Sequence, residues 1–537
     1  MSDYLQSLSP DVLADLHLKQ DASGKYQIKW PADYNIYTAT VGRFLGPDDR
    51  DKPAMIFEVE DGSVTTLSFA DVDTAASSLA AELRRMGYGK GDPIALHTGQ
   101  HPDTGIGHMA IAKIGGIAVT LSQLYGPDTL IHALNDCQAR VILTSSDAWA
   151  PLRNEHFPHL HHVMMRDPGA DELDLGAAMT NPPSDFTSEL GGADDPALLM
   201  YTSGSTGKPK GIMHGHRILA AYTPSINLFF NLDLDDLDAV YWSPSDWAWV
   251  GGLLDMLFPA WMAGRPVATS LERFTAEYAY GFMSRHNVTH TFLAPTAIKR
   301  LAQHPDPRRQ YDLSLRIICT GGEALAAKTL AWSEEKLGVV CNEFYGMTEG
   351  GVYCTLLAHE RPDKLDTVGQ PAEDCDLKII DEQGRVLPQG EKGEVIGYSP
   401  RTMDGYHNRP EATEEASWYD DTGKRYQKSG DIGWLDDENF LHLLDRKKDM
   451  IISGGFNVYA IDLEKVLLGH PDVTDAAVIA AHSEQWGETP FAFVVLKSGS
   501  TIDAEGLRQW ANAQLGKAQR ISKIDFIDEL PRSLIGK

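Results

Sequence analysis

The chain has 537 residues, 42% hydrophobic and 23% charged, with a formal net charge of -29 at pH 7. That length is too great for one core and calls for two or more domains. So acidic a surface disfavours nucleic acid and anionic membranes as partners, and an anionic substrate then needs a local positive site.

The first residues, "MSDYLQSLSPDVLADL", have neither a basic nor an apolar signal-peptide region, and no apolar run is long enough to span a bilayer. "SFADVDTAASSLAAELRRMG" predicts a helix: Ser68 is the N-cap and Asp71 lies in the first turn. Phe69, Val72, Ala76, Leu79 and Leu83 make one apolar face, and Gly87 stops it. "DPIALH", "ALLMY", "VTHTFLA", "LRIICT" and "VVCNEF" are short buried strands, most leading into Gly, Pro or polar loops. His156, His159, His161 and His162 read as a polar surface loop rather than a metal site, and "LDLDDLD" at 232–238 as a solvated turn. Five cysteines, Cys137, Cys319, Cys341, Cys354 and Cys375, form no C-x-x-C pair and no zinc spacing; they read as reduced, packed thiols of a cytoplasmic protein.

The character changes near residue 445. Strands, a charged turn "DRKKD", a Gly loop and two helices follow, a compact α+β unit of about a hundred residues. The expected architecture is α/β. A large N-terminal domain of several subdomains with βα-layered sheets, residues 1–445, precedes a small mobile α+β C-terminal domain, residues 446–537.

"YTSGSTGKPKG", Tyr201 to Gly211, is the sharpest local signal. Only two residues separate Gly204 from Gly207, so it is not a Walker A loop. Its chemistry still suits phosphate. Glycines let backbone N–H groups approach oxygens, Thr202, Ser203, Ser205 and Thr206 supply hydroxyls, and Lys208 and Lys210 supply charge.

This segment resembles the signature of the adenylate-forming superfamily of acyl-CoA synthetases, peptide-synthetase adenylation domains and luciferases. Five further motifs follow in that family's order. "TGGEAL" is similar to the adenine-binding turn, with Gly322, Glu323 and Ala324 lining the base. "EFYGMTEGG" (Glu343, Phe344, Tyr345, Gly346, Met347, Thr348, Glu349) resembles the motif whose Thr contacts the α-phosphate and whose Glu binds magnesium, roles that fall on Thr348 and Glu349. Asp431 in "KSGDIGWLDDEN" and Arg446 in "DRKKD" match the ribose-binding positions, Lys448 matches the hinge, and Gly454 and Gly455 match the channel for the pantetheine arm. "PRSLIGK" resembles the catalytic-lysine motif, which makes Lys537 the expected adenylation catalyst. Ala460 departs from the pattern, since many relatives have Pro there.

The resemblance implies ATP, Mg²⁺ and coenzyme A as cofactor and co-substrates. The activity implied is an AMP-forming acyl-CoA synthetase, monomeric or homo-oligomeric, without stable membrane association. Alternatives are an enzyme loading a carrier-protein thiol and a non-catalytic nucleotide-binding regulator. "WSPSDWAWVGGLLDMLFPAWMAGRPV" resembles the acetyl- and medium-chain branch. Trp247, Trp249, Val250, Gly251 and Gly252 then line the acyl pocket, with Tyr345, Gly346 and Met347 opposite. Acetyl-specific relatives have Trp at the Gly346 position, so the expected carboxylic acid is larger than acetate: short- to medium-chain, branched or aryl. Asp246 could be mistaken for the amino-group ligand of a peptide synthetase.

Overall fold

The computed structural model describes residues 9–22, 25–180, 182–183, 186–202, 208–231, 237–322, 327–453, 456–483, 486–516 and 519–531. The chain forms two compact units, the first comprising residues 1–376 and 398–427, the second 377–397 and 428–537.

The first unit holds two large, mostly parallel sheets. In spatial order, one runs Gly405–Tyr406, Lys210–Gly215, Pro196–Thr202, Ile117–Thr120, Pro93–His97, Val141–Ser145, His162–Arg166 and Leu173–Asp174. Among the described residues only the pairings at the Lys210–Gly215 strand of this sheet are antiparallel. The other sheet has a parallel centre of Val340–Met347, Ile317–Gly321, His290–Phe292, Tyr241–Trp242, Val267–Ser270 and Pro53–Glu58, with antiparallel strands at both edges. Parallel strands need both faces covered. The helix Phe69–Arg85 does part of this work. Ser68 caps it in a reciprocal capping box with Asp71, its five apolar positions are fully buried, and Gly87 takes φ +88 just beyond its end. The helix Pro102–Lys113 is buried along its whole length, which is why it lacks the polar stripe of a surface helix.

The strand Arg425–Leu435 runs through the boundary between the units. Its first residues pair with Ser417–Tyr419 and its later ones with Leu441–Arg446. The rest of the second unit has a sheet whose long hairpin is Val473–Ser483 and Gly487–Leu496. Its core gathers Ile451, Leu463, Leu467, Val494, Leu507 and Ile524 beneath the helices Ala460–Leu468 and Ala504–Asn512. All five cysteines are free thiols. Among the described residues no helix is long and apolar enough to cross a membrane.

Candidate active site

The Gly-rich segment joins two antiparallel strands, with Thr202 opposite Lys210 and Tyr201 opposite Gly211. Ser203, Gly204, Ser205, Thr206 and Gly207 lie outside the described residues. Both ends of the segment are tied down. Tyr125 donates its hydroxyl to the Tyr201 carbonyl at 2.8 Å, Tyr201 donates its own to Asp136 at 2.9 Å, and the His132 Nε2 lies 2.8 Å from the Pro209 carbonyl. The Lys210 ammonium stands 4.6 Å above the Tyr406 ring, a cation–π contact.

The second sheet supplies the turn Thr348–Glu349–Gly350, between the strands Val340–Met347 and Gly351–Leu356. Two residues of the first sheet hold it. His214 lies 2.8 Å from the Thr348 carbonyl through Nε2. Burial pushes the His214 pKa down to about 4, so the ring is neutral, and because a carbonyl only accepts, Nε2 carries the proton. Tyr406 donates its hydroxyl to Glu349 Oε1 at 2.9 Å. Burial, with the nearby Glu349 charge, raises the pKa of that hydroxyl and keeps it a donor. The Met403 N–H holds the Glu349 carbonyl at 2.7 Å. Since Tyr406 pairs with Ile212, four residues past Lys208, the sheet that carries the Gly-rich hairpin also carries the clamp on Glu349. Glu349 Oε2 has no partner among the described residues. A half-buried carboxylate with one oxygen fixed and the other open suits a hard cation such as Mg²⁺.

Glu343, Phe344 and Tyr345 are buried on the strand Val340–Met347, with Thr320 and Gly321 opposite Glu343 and Phe344. A Cβ on Gly321 would sit 2.9 Å from the Phe344 carbonyl oxygen, and Gly322 takes φ +91. Both glycines of "TGGEAL" are therefore demanded by backbone geometry. Glu323 and Ala324 fall outside the described residues. The turn stands at the carboxyl ends of parallel strands, where α/β sheets bind ligands.

The residues expected around the acyl group divide. Trp249 and Val250 are half-buried, and Trp249 donates from Nε1 to the Tyr125 hydroxyl at 3.0 Å, next to the Gly-rich hairpin. Met347 is also half-buried. Trp247 is fully buried and belongs to the main core. A Cβ on Gly251 would meet the Phe292 ring at 2.5 Å, and one on Gly252 the Ser245 and Asp246 carbonyls at 2.4 Å. Gly346 has a packing cause of its own: a Cβ there would lie 2.2 Å from the Gly351 carbonyl oxygen, where the hairpin's register shifts. The absence of a side chain at 346 is fixed by this close approach and does not by itself measure the acid. Asp246 accepts from the Ser122 hydroxyl and the Ala248 N–H, at 2.5 and 2.9 Å, so each of its oxygens has a partner.

In the second unit Asp431 and Arg446 face each other across antiparallel strands, and Arg446 Nε lies 2.9 Å from Asp431 Oδ1. The two expected ribose-binding residues are thus brought together, with the carboxylate buried. Lys448 is exposed, its ammonium 3.9 Å from Asp449. The Ala460 N–H donates to Asp445 Oδ2 at 2.7 Å, a bond that proline at 460 could not make. Gly454, Gly455 and Lys537 lie outside the described residues.

His214 and Tyr406 are functional candidates that the motifs do not contain. Both lie within a few residues of recognisable strings, in "KGIMHGH" and "DGYHNRPEAT", but only strand pairing brings them to the turn.

The AMP-binding enzyme family model matches residues 47–407, and the model of the AMP-binding enzyme C-terminal domain matches residues 462–537. The feruloyl-CoA synthase of Amycolatopsis sp is 33% identical over 479 residues, 88% of this chain and 92% of that one. The crystal structure of ATP-bound MatB from Rhodopseudomonas palustris superposes with a TM-score of 0.82 at 26% identity, covering 94% of this chain and 97% of that one. The anthranilate CoA ligase AuaEII in complex with anthranoyl-AMP also gives 0.82, at 25% identity over 95% of this chain and 96% of that one.

Proposed function

The chain belongs to the AMP-binding enzyme family, and we propose that, as an AMP-forming acyl-CoA synthetase, it activates an aromatic carboxylic acid. The overall conversion is acid, ATP and CoA to acyl-CoA, AMP and diphosphate. The observation that carries this reading is the single frame joining the Gly-rich hairpin to the Thr348–Glu349 turn through His214 and Tyr406. The aromatic choice is supported by relatives named for ferulate and anthranilate.

A carboxylate acylates poorly because its leaving group would be oxide. In the first step a carboxylate oxygen bonds to the α-phosphorus of ATP, the bond from that phosphorus to the bridging oxygen of the β-phosphate breaks, and diphosphate leaves. In the second, the CoA sulfur attacks the acyl carbon, AMP leaves with the C–O electron pair, and the thiol proton goes to solvent. Two anions meet in the first step, so alignment and positive charge matter more than acid–base chemistry. Backbone and hydroxyl groups of 202–207 with Lys208 hold phosphate, Thr348 contacts the α-phosphate, and Lys537 spans carboxylate and α-phosphate as charge redistributes. Mg²⁺ on Glu349 would neutralise phosphate charge there. Asp431 accepts from the ribose hydroxyls, and Arg446 orients Asp431. A mobile C-terminal domain, residues 446–537 turning at Lys448, would exchange Lys537 for the Gly454–Gly455 channel between the steps. We place the activity in the cytoplasm, where free thiols persist.

The test is a panel of aromatic and aliphatic acids with ATP, Mg²⁺ and CoA, read as kcat/KM for AMP release. Aromatic acids are expected to exceed acetate and hexanoate by at least about tenfold, since even apolar discrimination reaches that order. An aliphatic acid ranking first would overturn the aromatic assignment, and no acid-dependent release at all would overturn the ligase reading.

A further inference from the structure

The first unit carries a second concave site, an open cavity of about 540 Å³ walled by residues 28–30, 217, 374, 398–400, 402–403 and 424–425. No residue assigned above to ATP, the acid or CoA lines it. Its volume lies in the range of small-molecule sites, about 300–1,000 Å³. Its charge is out of keeping with the chain. Asp and Glu outnumber Lys and Arg by 76 to 47 overall, yet this wall has four cations, Lys29, Arg217, Lys424 and Arg425, against one carboxylate, Asp374. A concave surface of one sign concentrates ions of the other.

Two of the four cations are already engaged. Arg217 pairs with Asp404 and, at 3.5 Å, with Asp194. The Lys424 ammonium lies 3.5 Å from Asp376 and 3.7 Å from the centroid of the Tyr398 ring. Asp374 accepts from the Ile28 N–H at 3.0 Å. Lys29 and Arg425 are in no salt bridge among the described residues; Lys29 is close enough to Asp374 to favour its ionisation, but not to pair with it. Arg425 donates from Nη2 to the Met403 carbonyl at 3.1 Å, and its Nε is buried with no partner among the described residues. Thr402, on the same wall, has a buried hydroxyl that also lacks one. Buried polar atoms are almost always satisfied, and two orphans on one wall call for a ligand, a water or a functional cause. Trp30 and Tyr398 add two half-buried aromatic rings. A guanidinium and an ammonium without counter-ions suit a phosphate, which arginine can take bidentately, and aromatic rings suit a planar group. The wall also reaches the active-site turn, because Met403 accepts from Arg425 through its carbonyl while its N–H holds the Glu349 carbonyl at 2.7 Å.

We propose that this cavity binds a phosphate monoester carrying a planar ring, of the size of a mononucleotide, and that its occupant acts on the Mg²⁺ affinity of the active site. Lys29 and Arg425 take the phosphate, and Trp30 and Tyr398 offer the ring a stacking surface. Met403 passes a displacement of Arg425 to the backbone of Glu349. The binding half stands apart from the reading of the chain as a ligase, and the coupling half rests on it. Two ligands coupled in this way change each other's affinity by the same factor.

The full chain, saturated with ATP and Mg²⁺ so that the catalytic nucleotide site is filled, is titrated calorimetrically with uridine monophosphate, uridine and inorganic phosphate. Uridine monophosphate is expected to bind at one site, at least about tenfold more tightly than phosphate, with no measurable heat from uridine. Lys29→Glu and Arg425→Leu should each weaken it by at least about tenfold, and Arg425→Lys, which keeps the charge but not the fork, should fall between. Lys29 is exposed, so Lys29→Glu is expected to fold and to keep basal exchange. The coupling is read as the Mg²⁺ concentration for half-maximal acid-dependent ATP–diphosphate exchange, with and without uridine monophosphate. About a fivefold shift is expected in wild type and none in Lys29→Glu. No binding by wild type, or equal binding by wild type and both charge variants, would overturn the site. Phosphate binding as tightly as uridine monophosphate would overturn the ligand class, and binding without a shift in the midpoint would overturn the coupling. A wild type inactive with every acid would remove the ligase reading and the coupling with it, while the titration would still decide the site.

Discussion

Tyr406→Phe isolates one hydroxyl. The ring stays, and with it the Lys210 contact at 4.6 Å and the pairing with Ile212; only the 2.9 Å bond to Glu349 Oε1 is lost. A hydrogen bond to a charged group contributes roughly 1.5–3 kcal/mol. Glu349 is half-buried, so water partly replaces the lost donor, and the lower end applies. About 1.4 kcal/mol is tenfold in an equilibrium constant, within the range of about 10–100-fold found when a group orienting a metal ligand is removed. The expected result is an approximately tenfold rise in the Mg²⁺ concentration for half-maximal ATP–diphosphate exchange, with the KM of the acid unchanged. A second readout is Mn²⁺ binding to the protein–ATP complex by electron paramagnetic resonance, which should weaken by a similar factor. If both midpoints stay within about twofold of wild type, Tyr406 does not orient Glu349 for a cation and the reasoning fails.

Gly346→Ala puts a methyl 2.2 Å from the Gly351 carbonyl oxygen, an overpacking that typically costs about 1–3 kcal/mol. It should lower the melting temperature and reduce kcat/KM for small and large acids alike, whereas a loss confined to large acids would return Gly346 to the role of pocket wall. His108 is buried, its Nε2 has no partner among the described residues, and burial pushes its pKa down to about 3. Because the unfolded chain takes up this proton first, near pH 6.5, the native state loses about 1.4 kcal/mol per pH unit from about 6.5 down to 3 on account of this residue. Urea titrations of His108→Leu across that window should show an acid limb shallower by that slope, and parallel limbs would contradict the shift. Ala460→Pro removes the N–H bonded to Asp445; the second unit should lose roughly 1 kcal/mol by denaturant unfolding, where proline would otherwise add about 0.5 by stiffening the unfolded chain.

Much of the scaffold was readable because its signals are local. The helix Phe69–Arg85 announces itself by period, cap and terminal glycine within twenty residues, and the strands before the motifs are short apolar runs bounded by turns. The positions of the Gly-rich hairpin and of Thr348–Glu349 were readable for the same reason. Tyr406 and His214 were not, because their relation to Glu349 and Thr348 depends on which strands neighbour one another, and the pairing of Ile212 with Tyr406 spans almost two hundred residues. Gly346 was legible as a glycine but not as to cause: a missing side chain looks the same whether it leaves room for a substrate or for a carbonyl. Asp255 did leave a trace, a single acid in an apolar run, but sequence alone does not separate a fully buried carboxyl from a solvated helix face.

The bond from Ala460 to Asp445 has a mechanical side. It joins residues 15 apart in sequence, and Lys448 lies between them. The backbone from Asp445 to Ala460 is therefore a closed loop, in which a change at one torsion must be compensated by others or break the bond. A pivot at Lys448, as proposed above, would turn inside this loop, so the bond would bias it towards the setting in which the loop is closed. Alanine at 460 supplies the N–H for that bond, which a proline there could not.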